Sequence, residues 1–317
     1  MSRFKFFAEE ADLKDRTSMT NPDQAGQMDA LADISDSSEI HARYRVEQLT
    51  ISRMNGVVHS HAETKREFFV SKRMSQEGLT VNVRMEDNIV KVYPEAMQEA
   101  INLLIDLDVV KSDVAVLVNG TNGKIDRVLN HEEICEKWKQ YRKKLEERFS
   151  FMVDPESRLN LLKYLTVAEN TIVIEKNLIA DLNTKMFYDL FFDVYLTLNV
   201  VNYDNFSRPF YSQLFEGEES ILDFSQKIDK ETETQIQLKK EGKVNDKSFN
   251  SFKMEKLYNE KFKPMIEYKF SAYNAQISEQ ILINKTEKWI EQANVNIVEE
   301  VKNNVEILVD YKLRKIE

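Results

Sequence analysis

Cysteine is almost missing from this chain: Cys135 stands alone among 317 residues. An intrachain disulfide is therefore excluded, and the composition suits a reducing compartment. Glycine and proline are scarce too, at 7 and 5 residues. That excludes collagen-like and low-complexity character, and regular secondary structure must carry most of the chain. Long apolar runs are also lacking. The most apolar stretch, Met186–Val201, is interrupted by Asp189 and Asp193 and falls short of the roughly 20 apolar residues of a membrane span. Near the start, Glu9 and Glu10 cut the apolar run below the roughly 7–15 residues of a secretory signal core. Position 2 is Ser and the cysteine is internal, so no lipidation motif is present. A soluble, cytoplasmic protein is expected.

A surplus of basic charge is missing as well. The net charge is −10, and the first forty residues contribute half of it, with five more acids than bases. Neither part has the excess of Lys and Arg that phosphate backbones or anionic membranes attract. No nucleic-acid or membrane partner is expected.

The familiar catalytic and nucleotide motifs are absent: no Gly-x-Ser-x-Gly, no His-Glu-x-x-His, no Gly-x-Gly-x-x-Gly. Gly120-Thr121-Asn122-Gly123-Lys124 has too few residues between its glycines for a phosphate loop, and Ile125 follows the lysine. A tight hairpin explains it better. Cys135 reads as a small apolar residue on a helix, and His131 as a surface residue of its first turn. The one metal-like pattern is His59, His61 and Glu63, which share a face if the segment is a strand. It departs from the His-x-His metal motif of cupins, because the slots for that motif's glutamate carry Lys65 and Arg66. A solvated strand face is the plainer reading. No catalytic residue, metal or cofactor is expected.

What is present is strong patterning. Residues 1–40 are polar and acidic and read as a flexible lead segment. Phe4, Phe6 and Phe7 stand out in it, as a docking peptide or as packing against the body. From Tyr44 to Tyr93 the sequence alternates like strands, with Asn55-Gly56 as a hairpin signal. Pro94 opens a helix, and a second hairpin spans Val114–Leu129. Asn130 and Glu133 have capping-box spacing before the stripe Ile134, Trp138, Tyr141, Leu145 and Phe149. Pro155–Leu196 reads as further helices, with Tyr188, Phe191, Phe192 and Tyr195 at core spacing. Phe206, Phe210, Tyr211 and Phe215 lie in an irregular stretch that either closes the core or lines a pocket. Beyond it, Gly242 ends an alternating segment, Ile266–Ala272 alternates, and Asn303-Asn304 turns into the period-2 run Val305–Leu313.

The predicted fold class is α+β: antiparallel N-terminal hairpins, central helices over 95–107, 131–150 and 155–196, and a C-terminal antiparallel meander. One curved sheet or half-barrel joins them. Residues 41–317 form a single body, with a split into 41–198 and 199–317 as the alternative. Two functions fit. The first is a non-enzymatic interaction or structural protein with a protein partner, such as an adaptor or assembly subunit, with Phe4, Phe6 and Phe7 as the contact. The second is a carrier or enzyme holding a small apolar molecule in a curved-sheet cavity.

Overall fold

The computed structural model describes residues 39–150, 154–198 and 205–317. The acidic lead segment, with Phe4, Phe6 and Phe7, lies outside the described residues.

Each long alternating stretch forms a strand. They are β1 (Ile40–Met54), β2 (Val57–Ser75), β3 (Gly78–Tyr93), β4 (Asp113–Val118) and β5 (Ile125–Val128) in the first half. In the second are β6 (Phe206–Tyr211), β7 (Glu219–Glu231), β8 (Gln235–Val244), β9 (Tyr273–Asn284), β10 (Trp289–Val301) and β11 (Val305–Lys315). All join one antiparallel sheet in the order β5-β4-β3-β2-β1-β11-β10-β9-β8-β7-β6. The two β-rich blocks therefore share a sheet, which does not close into a barrel. Its seam is β1 against β11, in register from Tyr44↔Lys315 to Met54↔Val305. The first and last described strands thus meet at the centre, leaving only the short β5 and β6 as edges.

The turns follow their residues. Asn55 and Gly56 take φ of 51° and 74°, the left-handed pair that a two-residue hairpin needs. Gly123, at φ +71°, lies so close to Asp193 that a Cβ there would sit 2.0 Å from its carbonyl oxygen. The Gly120–Lys124 segment is thus a hairpin turn against the chain.

Helices cover one face of the sheet. They are α1 (Gln98–Val110), α2 (His131–Arg148), α3 (Pro155–Val173), α4 (Glu175–Thr184) and α5 (Met186–Phe191), with α6 (Ser251–Lys261) and α7 (Lys263–Ile266) between β8 and β9. The innermost is α5. Phe187 stacks on Phe68 of β2 at 4.0 Å between ring centroids, and Phe191 meets Tyr44 edge-on at 5.8 Å. The opposite face carries charge ladders such as Arg45–Glu67 and Arg53–Glu306, each contributing roughly 0–1 kcal/mol.

Three expectations needed correction. Gly242 does not end a strand; it lies inside β8, and a turn at 232–234 separates β7 from β8. A Cβ at 242 would come within 2.5 Å of the Phe224 ring opposite, so glycine is there to admit that ring. Ile266, Tyr268, Phe270 and Ala272 alternate, yet α7 ends at Ile266 and β9 starts only at Tyr273. Four residues are too few for period alone to settle a strand. Asn130 does not cap α2 with its side chain. It is committed to β4, accepting from the Ala115 amide and donating to the Asp113 carbonyl. The helical run Pro155–Leu196 is divided at Ile174, between α3 and α4, and at Lys185, between α4 and α5.

One buried cation ties β2 to the β9–β10 turn. Lys72 Nζ donates to the carbonyls of Glu287 at 2.9 Å and Lys288 at 2.7 Å, and sits 3.6 Å from the Trp289 ring centroid. Burial lowers its pKa from 10.5 to about 7, with Lys288 and Lys315 adding to the shift and Glu287 opposing it. Between those two values the unfolded chain binds more protons than the folded one, so stability rises with pH there. The slope from this residue reaches up to about 1.4 kcal/mol per pH unit. Lys72→Met is expected to show a flatter stability profile than the parent between pH 7 and 10. Urea denaturation across that range checks this, and parallel profiles would contradict it.

Candidate functional site

A slot of about 250 Å³ lies between the helices and the covered face of the sheet. Its floor is built from residues two apart, which strand geometry puts on one face: Val46 and Gln48 of β1, Arg66 and Phe68 of β2, Val309 and Tyr311 of β11. Met85 of β3 and Ile297 of β10 extend it at either side. From β3 to β10 is four strand spacings, about 19 Å. The lining thus draws on five neighbouring strands.

The roof is where helices stop. Gln98, at the start of α1, clamps the edge of β3 by accepting from the Val92 amide and donating to the Val90 carbonyl. That anchor sets the course of α1, whose far end brings Asp108, Lys111 and Ser112 to the slot. Lys185 takes an extended backbone between α4 and α5 (φ −83°, ψ 128°). It brings Thr184, Met186, Phe187 and Tyr188 to the roof.

Charges gather beneath α1. Lys185 Nζ is 2.5 Å from Asp108 and 3.7 Å from Asp181, and Lys111 Nζ is 2.7 Å from Asp181. Arg66 is only loosely paired, its Nη2 lying 3.7 Å from Asp108. Its Nε donates to Asn88 at 3.0 Å. Three cations face two carboxylates, a surplus of one positive charge. Burial pulls the Asp108 carboxyl up, but Lys185, Lys111 and Arg66 outweigh it and hold the group below its ordinary value. Lys111 moves down: burial and the neighbouring Lys185 together exceed the pull of Asp181 and Asp108. Positive charge is therefore crowded here.

Two phenols complete the lining. Tyr188 is 3% exposed and Tyr311 2%, and neither hydroxyl has a hydrogen-bond partner among the described residues. Burial pushes both pKa values up, so each is a neutral donor. An unpaired buried hydroxyl costs roughly 1–3 kcal/mol.

At the β10 end, Gln213 lines the slot. Glu299, 1% exposed, holds the segment in place. It accepts from the Ser212 hydroxyl, the amides of Gln213 (2.7 Å) and Leu214 (3.3 Å), and the Tyr273 hydroxyl (3.0 Å). Burial raises its pKa against those four donors.

The aromatics of the 206–215 stretch line none of this. Phe206 stacks on Phe224, Phe210 and Phe215 are buried, and Tyr211 points to solvent. Gln213 is the member of that stretch that reaches the slot. His59, His61 and Glu63 lie on β2 but are not brought together. His59 is the extra residue where the β1–β2 register shifts, so strict alternation fails, and His61 stacks on Tyr93. Among the described residues, no group of three or more His, Cys, Asp or Glu could hold a metal ion. Cys135 Sγ does lie 3.5 Å from His131 Nε2, one helical turn away. That nitrogen also faces the Ile172 carbonyl at 2.9 Å. A carbonyl can only accept, so Nε2 carries the hydrogen and is not a base for the thiol. Burial also raises the Cys135 pKa, the opposite of activation.

Sequence reasoning missed Arg66, Asp108, Lys111, Lys185, Tyr188 and Tyr311 as a group. Tyr188 carried a helical signal and Tyr311 a strand signal, and both pointed to core. Nothing in the sequence links them to α1.

Among the described residues, no helix is long and apolar enough to cross a membrane. Compared with known proteins, the sequence matches no family model and no curated protein, so the slot is interpreted from its own chemistry.

Proposed function

We propose that this chain is a non-enzymatic binding protein that holds a small molecule in the slot beneath α1 and the α4–α5 junction. The observation that carries this reading is the pair of buried, unpartnered phenols, Tyr188 and Tyr311, on the wall of a cavity. Buried hydroxyls are nearly always paired, and a ligand acceptor would pair them. The lining joins an apolar stretch, Val46, Phe68, Phe187, Ile297 and Val309, to polar and charged groups that converge at the α1 end, the mixture that orients a ligand in a binding pocket. No paired nucleophile and base lies among the slot's residues, which favours binding over catalysis. The adaptor alternative rests on Phe4, Phe6 and Phe7, outside the described residues.

Slot filling tests this. Val309 is on the floor, and Val309→Phe places a ring in the slot. The full chain is screened by thermal shift against a broad panel of small metabolites. At least one class is expected to raise Tm, with the rise abolished in Val309→Phe while the variant stays folded by circular dichroism. No stabilising compound, or a rise unchanged by the variant, would refute the reading.

A further inference from the structure

The chemistry of the slot goes further than its existence. We infer that its ligand is a monocarboxylic acid with a single unbranched aliphatic chain, the carboxylate seated at Arg66 below α1 and the chain running over β1 and β11 toward Ile297. This inference rests on the slot being a binding site, and three observations select the class.

The first is charge. Arg66, Lys111 and Lys185 face Asp108 and Asp181, and the surplus of one positive charge is balanced by one negative charge. A monoanion completes the cluster. A dication or a neutral sugar does not, and a phosphate monoester overshoots it. The second is the state of Arg66. Both lysines are tightly engaged, at 2.7 Å and 2.5 Å from their carboxylates. Among the described residues Arg66 has one side-chain hydrogen bond, through Nε to Asn88, and a loose ion pair. Its terminal nitrogens are the least committed donors in the cluster, and a planar guanidinium edge matches a carboxylate in two parallel hydrogen bonds. Tyr188 and Tyr311 are further donors without an acceptor among the described residues, and a carboxylate accepts at several positions.

The third is the remainder of the lining. Away from the cations the apolar part of the walls is Val46, Phe68, Met186, Phe187, Ile297 and Val309, with the amides of Gln48 and Gln213 beside it, and those apolar side chains offer a chain dispersion contact. The volume of about 250 Å³ equals the share of roughly eight water molecules in the liquid. That suits a chain of about eight carbons. Burying such a chain is favourable by roughly 0.8 kcal/mol per methylene.

Isothermal titration of the full chain with octanoate, 1-octanol and octylamine separates the possibilities. Octanoate is expected to bind, octanol at least about tenfold more weakly, and octylamine not at all. Arg66→Gln should weaken octanoate at least about tenfold while leaving octanol unchanged, with folding verified by circular dichroism. Arg66→Lys, which keeps the charge and the fold but loses the planar edge, should fall between. Equal affinity for the alcohol or the amine would overturn the carboxylate assignment while leaving the slot as a binding site. Octanoate binding that survives Arg66→Gln would overturn the seat at Arg66. If none of the three binds, the ligand class is wrong, and the metabolite panel with Val309→Phe decides separately whether the slot binds anything.

Discussion

Replacing Arg208 by leucine is expected to destabilise the fold by about 3–5 kcal/mol, the range for breaking a buried ion pair by removing one partner. Arg208 projects from β6 and joins two carboxylates, with Nη1 2.5 Å from Asp189 and Nη2 2.8 Å from Glu279. Its guanidinium also lies over the Phe224 ring, 4.5 Å from the centroid. The Glu279 side chain is 2% exposed, so water does not solvate it when the arginine goes. Lys240 is buried nearby but donates to Asp193 at 2.8 Å and compensates only in part. The cost therefore comes mainly from a stranded carboxylate, not from the lost pair itself. Two controls follow from that reasoning. Glu279→Gln should cost less, because Arg208 keeps Asp189. In the double variant Arg208→Leu/Glu279→Gln, the loss should be clearly smaller than the sum of the singles. Urea denaturation measures all four proteins. A loss under about 1 kcal/mol for Arg208→Leu would mean that Glu279 is not stranded as described.

Phe191→Ala is the second large effect, expected at about 3–5 kcal/mol. Phe191 is fully buried and packs among the rings of Tyr44, Phe187, Phe192 and Trp289, at centroid distances of 5.8, 5.7, 5.2 and 6.0 Å. These come from β1, α5 and the residue that follows it, and β10, so the ring joins both halves of the sheet to the helix layer. Elements held on several sides relax little, and a cavity would remain. Phe206→Ala is the matched comparison. That ring stacks on Phe224 at the sheet edge but is 36% exposed, so its removal should cost less than half as much. Equal losses would show that the edge is as tightly packed as the centre.

These predictions also mark how far the sequence reaches. The hairpin at Asn55-Gly56 was legible because only certain residues accept positive φ at two successive positions. β11 was legible because Val309, Tyr311 and Leu313 alternate with charged residues. Trp138 and Leu145 showed their buried face through helical spacing. Gly242 was misread because the reason for it, the Phe224 ring, stands on another strand. Asn130 was misread because its side chain had a better use at β4 than at its own helix.

The candidate site was less legible still. Arg66 is on β2, Asp108 and Lys111 at the end of α1, Lys185 between α4 and α5, Tyr311 on β11. No local pattern connects them. Each reads as an ordinary strand or helix residue until the sheet is assembled.

The scarcity of cysteine, glycine and proline by itself determined that regular elements carry this protein, and the alternation of its long strands determined which residues face inward. Those are local properties, set by the two-residue period of a strand and the steric limits of each turn. Only the tertiary structure decided that the first and last described strands lie side by side, and that three cations and two phenols meet over the resulting seam. That juxtaposition depends on contacts between residues more than two hundred positions apart in the chain, which one-dimensional spacing cannot encode.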